Sequence, residues 1–355
     1  MVQQINTTVT TSESYEDYNH TTFDYESYEE LCMKHDIRRF ASVFLPAFYS
    51  VAFVVGIAGN SLVVAVYAYY KKMKTKTDVY LLNLAVADLL LLFTLPFWAV
   101  DASIGWQSGN AMCKITSALY TINFSSGMQF LACISLDRYF AVIKVSTNQN
   151  FRRKCWAICF FVWITSVLLC IPDLQFSEVK EHNGKNACLP TYPKDSVKEV
   201  TAFIQFLESV CCFVIPFAIM LFCYSAIARI LVKTPNIKRS RSLKVLLAVV
   251  GMFLITQLPY NAIKVWRAID IVYALITSCQ ISKTLDIMMQ VTSSMALFHC
   301  CLNPLLYAYM GTTFKSYVTQ TVKKVGSWRR QRTQSSEEYS MCSNNHVEET
   351  DSFSI

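Results

Sequence analysis

Charged side chains are scarce in this chain, so the few that lie among apolar residues stand out. Asp88 is the one acid within Val79–Val100, and Asn60, Asn83, Asn123 and Asn303 also lie in apolar runs. An ionisable group in such a run is costly and as a rule functional. Oxygen ligands converging from several runs, with Asp88 and Asn123 foremost, would hold a small hard cation such as sodium. The plainer reading is a hydrogen-bond lattice without an ion. No basic residue is read at the depth of Asp88, which favours the ion.

Two further constellations sit where apolar runs end. Asp137-Arg138-Tyr139 follows Ile115–Leu136. There the acid would hold the adjacent guanidinium in a local pair until a partner inserts. Asn303-Pro304-Leu305-Leu306-Tyr307 closes another run. A proline there frees a backbone carbonyl and permits a bend, as Pro216 and Pro259 do elsewhere. Such a bend works as a hinge between two packings. Nothing in this set makes an enzyme, which would call for paired acids, a Ser–His arrangement or clustered metal ligands in the spans. Of the five histidines, only His299 lies in an apolar run. No internal repeat supports an inverted-repeat transporter.

The elements that position these groups follow from composition. Hydrophobic residues make up 53% of the 355 and charged residues 16%, against about 25% charged in a soluble domain. The net charge of +7 would suit nucleic acid, but the apolar excess points to membrane lipid and to no nucleic acid. Phe40–Tyr70, Ile115–Leu136, Cys155–Pro172, Val245–Ile263 and Ile287–Phe314 contain no Asp, Glu, Lys or Arg. Val79–Val100 holds Asp88, and Val200–Arg229 holds Glu208 before its terminal arginine. A spanning helix needs roughly 20 apolar residues. The expectation is an all-α membrane protein, a bundle of seven transmembrane helices over residues 40–312. Lys and Arg number 20 in the segments assigned to the inner side and 11 in those assigned outside, which places the N-terminus outside. No signal peptide is read, so the first span acts as signal anchor.

Of fourteen cysteines, Cys32, Cys113, Cys188 and Cys279 fall in outer segments. That predicts two disulfides, with three pairings open. Asn6 and Asn19 are glycosylation sequons in the outer tail, 1–39. That tail carries seven acids and no base over residues 1–30, interleaved with Tyr15, Tyr18, Tyr25 and Tyr28. It is too polar to fold alone. It reads either as a solvated spacer or as a docking strip for a basic protein, strengthened by tyrosine sulfation. Residues 313–326 place Phe314, Tyr317, Val318, Thr321, Val322 and Val325 at helical spacing between lysines, a short amphipathic eighth helix on the inner leaflet. The inner tail, 327–355, is rich in Ser, Thr and acids, and each phosphate there would add about −1.5 to −2 charges.

The ordered set Gly59-Asn60, Leu84–Asp88, Asp137-Arg138-Tyr139, Trp163, Pro216, Pro259 and Asn303-Pro304 to Tyr307 resembles the rhodopsin-like G-protein-coupled receptors over roughly residues 40–325. Thr94-Leu95-Pro96-Phe97-Trp98, Cys113, Ser135–Tyr139, Leu258-Pro259-Tyr260-Asn261 and His299–Pro304 are similar to the chemokine receptors. Longer strings, among them Tyr67–Lys72, Met112–Tyr120, Arg267–Ile271 and Gly326–Arg332, are similar to the atypical, scavenging members of that family.

The resemblance implies the pairing Cys113–Cys188 and Cys32–Cys279, with the leader tethered over the bundle. It implies ligand contacts at Tyr15, Tyr18, Tyr25, Tyr28, Glu29 and Glu30 in the leader. It implies a pocket of Tyr49, Trp98, Tyr120, Tyr260 and Ser293, whose aromatics read equally as helix packing. It assigns intracellular coupling to Asp137, Arg138, Tyr139, Ser146, Asn303, Pro304 and Tyr307. The ligands implied are CC chemokines of the lymphoid-homing and thymus-expressed type, internalised for degradation without effective G-protein signalling. Arrestins would dock on the phosphorylated tail, and the chain would cycle between plasma membrane and early and recycling endosomes. The alternative is a signalling receptor coupled to an inhibitory G protein.

Three positions depart from the family pattern. Ser146 stands where an apolar plug faces the G protein, a loss of about 1–3 kcal/mol of burial. Gln257 stands where rhodopsin-like receptors place Trp. Ser293 stands where chemokine receptors often have Glu, poised for the ammonium of the ligand N-terminus. With Ser the deep pocket lacks that anion, so the chain is expected to depend more on its outer tail.

Overall fold

The structure is a computed structural model and describes residues 32, 34–70, 75–143, 151–182, 184–193, 196–233, 237–276 and 278–310. Helices dominate: α1 (His35–Tyr70), α2 (Lys76–Leu92), α3 (Leu95–Ile104), α4 (Gly109–Val142), α5 (Phe151–Leu169), α6 (Ile171–Phe176), α7 (Val197–Ser209), α8 (Ile215–Lys233), α9 (Ile237–Tyr273) and α10 (Cys279–Met310). They form seven rods, because α2 with α3, α5 with α6, and α7 with α8 are broken spans. Among the described residues, five stretches are apolar and long enough to cross a membrane: His35–Ala68, Lys76–Ile104, Lys154–Phe176, Val197–Ile230 and Cys279–Pro304. α4 and α9 have the length and complete the bundle. α4 runs through the middle of the bundle and buries polar side chains there, among them Thr116, Ser117, Asn123, Ser125, Ser126 and Ser135.

The chemistry of the surface is inverted relative to a soluble protein. Val43 is 70% exposed, Phe160 68% and Phe206 66%, while Asp88 and Asn60 are fully buried. Lipid rewards no further burial of the apolar faces, so packing and interhelical hydrogen bonds hold the rods together. Trp163 Nε1 donates to Asn83 Oδ1 at 2.9 Å, Ser166 donates to Ser125 at 3.2 Å, and Ser135 and Tyr224 share a bond of 2.8 Å.

The breaks have local causes. α2 starts on a capping box, in which Asp78 N–H donates to Thr75 Oγ1 and Thr75 N–H to Asp78 Oδ2. It ends where Thr94 Oγ1 turns back to the Leu91 carbonyl at 2.7 Å and Pro96 enters the first turn of α3. A π-helical turn, Val210–Val214, lies just before Pro216, whose missing N–H disrupts the regular ladder. Pro304 lies inside α10, and its missing N–H would have bonded the Cys300 carbonyl. Asn60 Nδ2 on α1 takes that carbonyl at 2.9 Å. The approach is close because position 59 is glycine: a Cβ there would lie 2.9 Å from Pro304 Cγ.

Among the described residues, the departure from helix is an antiparallel hairpin, β1 (Ser177–His182) with β2 (Lys185–Pro190), Val179 opposite Cys188. The all-α expectation omits it. It docks on the end of α3, where Trp106 N–H donates to the Asn186 carbonyl at 2.7 Å. Gly105 makes that docking possible: its φ is +94°, and a Cβ would lie 2.7 Å from the Asn186 oxygen.

Candidate ligand mouth and polar core

Among the described residues, two disulfides tie the end of the bundle that carries the N-terminal segment. Cys32 joins Cys279 at the start of α10 with Cα atoms 5.4 Å apart, and Cys113 on α4 joins Cys188 on β2 at 5.5 Å. The first fixes the root of the leader over α10. Beside it, Lys34 Nζ lies 2.8 Å from Asp286 Oδ2 and donates to Ser282 Oγ at 2.9 Å. Arg267 on α9 pairs with the other Asp286 oxygen. Asp286 is fully buried, so one carboxylate holds the leader root, α9 and α10 together. Sequence reasoning missed this cluster.

Inside the mouth, a cavity of about 530 Å³ opens between α1, α3 and β2. Tyr49 and Trp98 line it, together with Asp101. Of the pocket expected from sequence, Tyr120, Tyr260 and Ser293 do not line this cavity. Tyr120 packs against the cluster that holds Tyr49 and Trp98, and its hydroxyl donates to Tyr260 at 3.3 Å. Ser293 Oγ donates to the Gln290 carbonyl on its own helix at 3.0 Å. Deeper toward α7, Glu208 and Lys264 form a half-buried ion pair across α7 and α9.

At mid-depth, Asp88 accepts from Asn123 Nδ2 at 3.0 Å and from Asn303 Nδ2 at 2.8 Å. His299 Nε2 lies 4.0 Å from Asp88 Oδ1. This corrects the premise that no basic residue stands at the depth of Asp88: α10 delivers an imidazole there, a depth that charge-free runs do not reveal. Asp88, His299 and Cys300 place possible ligand atoms within 4.8 Å of one another, all buried. For a hard cation, the carboxylate and Asn123 Oδ1 are suitable oxygen donors, while the imidazole nitrogen and thiol are softer. Both carboxylate oxygens already accept amide N–H groups. The residues therefore fit sodium in part.

At the opposite end of the bundle, Asp137 does not pair with Arg138. Its Oδ2 accepts from Thr77 Oγ1 at 2.8 Å, and Arg138 Nε is buried without a partner among the described residues. Neighbouring helix residues project about 100° apart, so an adjacent acid and base need not meet. Tyr139 packs edge-on against Phe222 of α8. Gln257 Nε2 donates to the Ala296 carbonyl at 2.9 Å and contacts His299.

Tyr15, Tyr18, Tyr25, Tyr28, Glu29, Glu30, Asn6 and Asn19 lie outside the described residues, as do Ser146, residues 313–326 and the tail from 327. Tyr307 lies in α10, with its backbone alone described.

Known proteins agree with this architecture. The family described as "7 transmembrane receptor (rhodopsin family)" matches residues 59–307. Atypical chemokine receptor 4 of Homo sapiens is 60% identical over 94% of each chain. Its counterpart in Bos taurus is 57% identical over the same shares. C-C chemokine receptor type 9 of Homo sapiens is 38% identical over 88% of this chain and 84% of that one. The family is one of multi-pass plasma-membrane receptors, not of enzymes. With its seven rods, its tethered mouth and these relatives, the chain belongs to the chemokine receptors of the rhodopsin family.

Proposed function

We propose that this chain is an atypical, scavenging chemokine receptor. It captures CC chemokines of the lymphoid-homing and thymus-expressed type on its outer face and carries them inward for degradation without effective G-protein signalling. The observation that carries the reading is the likeness, along nearly the whole chain, to proteins named atypical chemokine receptor 4, against a weaker likeness to a C-C chemokine receptor. The acidic, tyrosine-rich leader supports it, since opposite charge speeds capture of basic proteins. The N-terminus faces outside in this reading, glycosylated at Asn6 and Asn19 and sulfated at Tyr15, Tyr18, Tyr25 and Tyr28. Arrestins meet the phosphorylated tail, and cargo passes through early and recycling endosomes. A sodium ion at Asp88 and Asn123 belongs to the same proposal; exchanging sodium for N-methylglucamine should lower the unfolding temperature of the purified chain.

A second reading, signalling through an inhibitory G protein, is favoured by one observation: Arg138 makes no ion pair among the described residues. Fluorescent-chemokine uptake measured beside a second-messenger assay separates the two. Uptake without a second-messenger response is expected, and robust ligand-dependent G-protein activation would refute scavenging. Deleting residues 13–30 should weaken chemokine binding; unchanged affinity would remove the leader from the account.

A further inference from the structure

The polar core suits sodium only in part, because two of the donors gathered at Asp88 are a nitrogen and a sulfur. We propose that Asp88 on α2, with His299 and Cys300 on α10, forms a site for a divalent zinc ion. The ligands are the carboxylate, the imidazole Nε2 and a Cys300 thiolate, with Asn123 Oδ1 of α4 in the fourth position. The site does not depend on the reading of the chain as a chemokine receptor.

Three observations carry it. The first is spacing. Zinc holds nitrogen and oxygen at about 2.0–2.2 Å and sulfur at about 2.3 Å, which sets neighbouring tetrahedral donors roughly 3.4–3.6 Å apart. Cys300 Sγ lies 3.7 Å from His299 Nε2 and 3.8 Å from Asn123 Oδ1. His299 Nε2 lies 4.0 Å from Asp88 Oδ1. Small inward shifts close these donors on an ion. The second is the tautomer. His299 Nδ1 faces the Ala296 carbonyl, which can only accept, so Nδ1 carries the hydrogen. Nε2 then keeps its lone pair on the side of Asp88 and Cys300. A backbone carbonyl behind the ring is a common support of metal-ligating histidines.

The third is charge. Asp88 and Cys300 are fully buried, where charge has to be balanced. On binding, the thiol S–H bond breaks, its electron pair goes to the zinc–sulfur bond, the proton leaves to bulk water and zinc stays divalent. One carboxylate and one thiolate then cancel the two positive charges. Sodium would balance Asp88 alone and leave the softer thiol and imidazole unused. The adjacent thiol cannot substitute: Cys301 Sγ faces the Ala52 carbonyl on α1 at 3.4 Å. Among the described residues, Asp88, His299 and Cys300 are the one group of three such side chains close enough to share an ion.

The test uses the full chain purified in detergent, stripped with a chelator and kept in N-methylglucamine chloride so that no sodium competes for Asp88. Zinc chloride at about 100 times its dissociation constant should raise the thermal midpoint by about 5–10 °C. Cobalt(II) in place of zinc should give a thiolate-to-metal charge-transfer band that added zinc abolishes. Cys300→Ser and His299→Gln should each lose the band and weaken zinc binding by more than about 100-fold, since even an outer partner of a ligand costs about 10–100-fold. Cys301→Ser should keep both signals. The wild-type arm needs no variant, so a folding defect cannot shield the idea. No rise with zinc in wild type, or a rise and a band that persist in Cys300→Ser, as for zinc held elsewhere on the chain, would each overturn it. Stabilisation by sodium without stabilisation by zinc would refute this site and leave the sodium proposal standing.

Discussion

Thr77 and Asp137 stand 2.8 Å apart across α2 and α4, hydroxyl to carboxylate, and that bond takes the acid away from its sequence neighbour Arg138. Thr77 is buried in the first turn of α2, so the contact ties the start of α2 to the end of α4. Arg138 is left with its Nε unmatched. In the proposed coupling, an inserting partner would meet a guanidinium that has no ion pair to break among the described residues.

Thr77→Val keeps the shape and deletes the donor. A hydrogen bond to a charged group contributes about 1.5–3 kcal/mol. Purified Thr77→Val should unfold at lower temperature than wild type in the same detergent, with chemokine affinity little changed. An unaltered midpoint would mean that the carboxylate is satisfied by water.

Asp286 predicts an asymmetry. Removing Lys34 leaves Asp286 with Arg267; removing Asp286 leaves two half-buried cations facing each other. Breaking a buried pair by deleting one partner costs about 3–5 kcal/mol. Asp286→Ala should therefore destabilise more than Lys34→Ala, which still leaves a pair. Surface abundance and thermal midpoints of both variants check the order, and the reverse order would discard the clamp.

The same cluster marks the limit of what the sequence makes legible. The seven rods are readable because hydrocarbon excludes charge, so charge-free runs announce themselves. The two disulfides are readable as a count, and the family resemblance selects their pairing. Lys34, Arg267 and Asp286 look like solvated loop charges, because all three lie outside the charge-free runs. Asp101 directly follows Val79–Val100, the run that holds Asp88. Glu208 reads as a lone acid because its partner, Lys264, comes from another rod. His299 is visible in an apolar run, but its depth depends on how far α10 is shifted against α2. Linear pattern fixes which face of a rod is polar and leaves the relative shift of rods to packing.

Gly59 predicts an overpacking effect. Its missing Cβ is what lets Pro304 come within 2.9 Å of that position. Inserting a methyl into a packed contact costs typically about 1–3 kcal/mol. Gly59→Ala should lower the thermal midpoint, and Gly59→Leu should abolish surface expression. Normal expression of Gly59→Leu would show that α1 and α10 separate freely.

Asn60 carries the last prediction. Pro304 cannot donate to the Cys300 carbonyl, and Asn60 Nδ2 does so from α1 at 2.9 Å while also donating to Gly56 within its own helix. Asn60→Leu fills a similar space, loses both donations and leaves a buried carbonyl at the bend unmatched. An unsatisfied buried group costs about 1–3 kcal/mol. Neighbouring Asn303 donates to Asp88, so a shift of α10 at this turn also disturbs the polar core. Asn60→Leu and Asn303→Ala should each lower the thermal midpoint, and together they should cost less than the sum, because both loosen the same turn. Independent, additive losses would separate the Pro304 bend from the Asp88 lattice and remove the link between them.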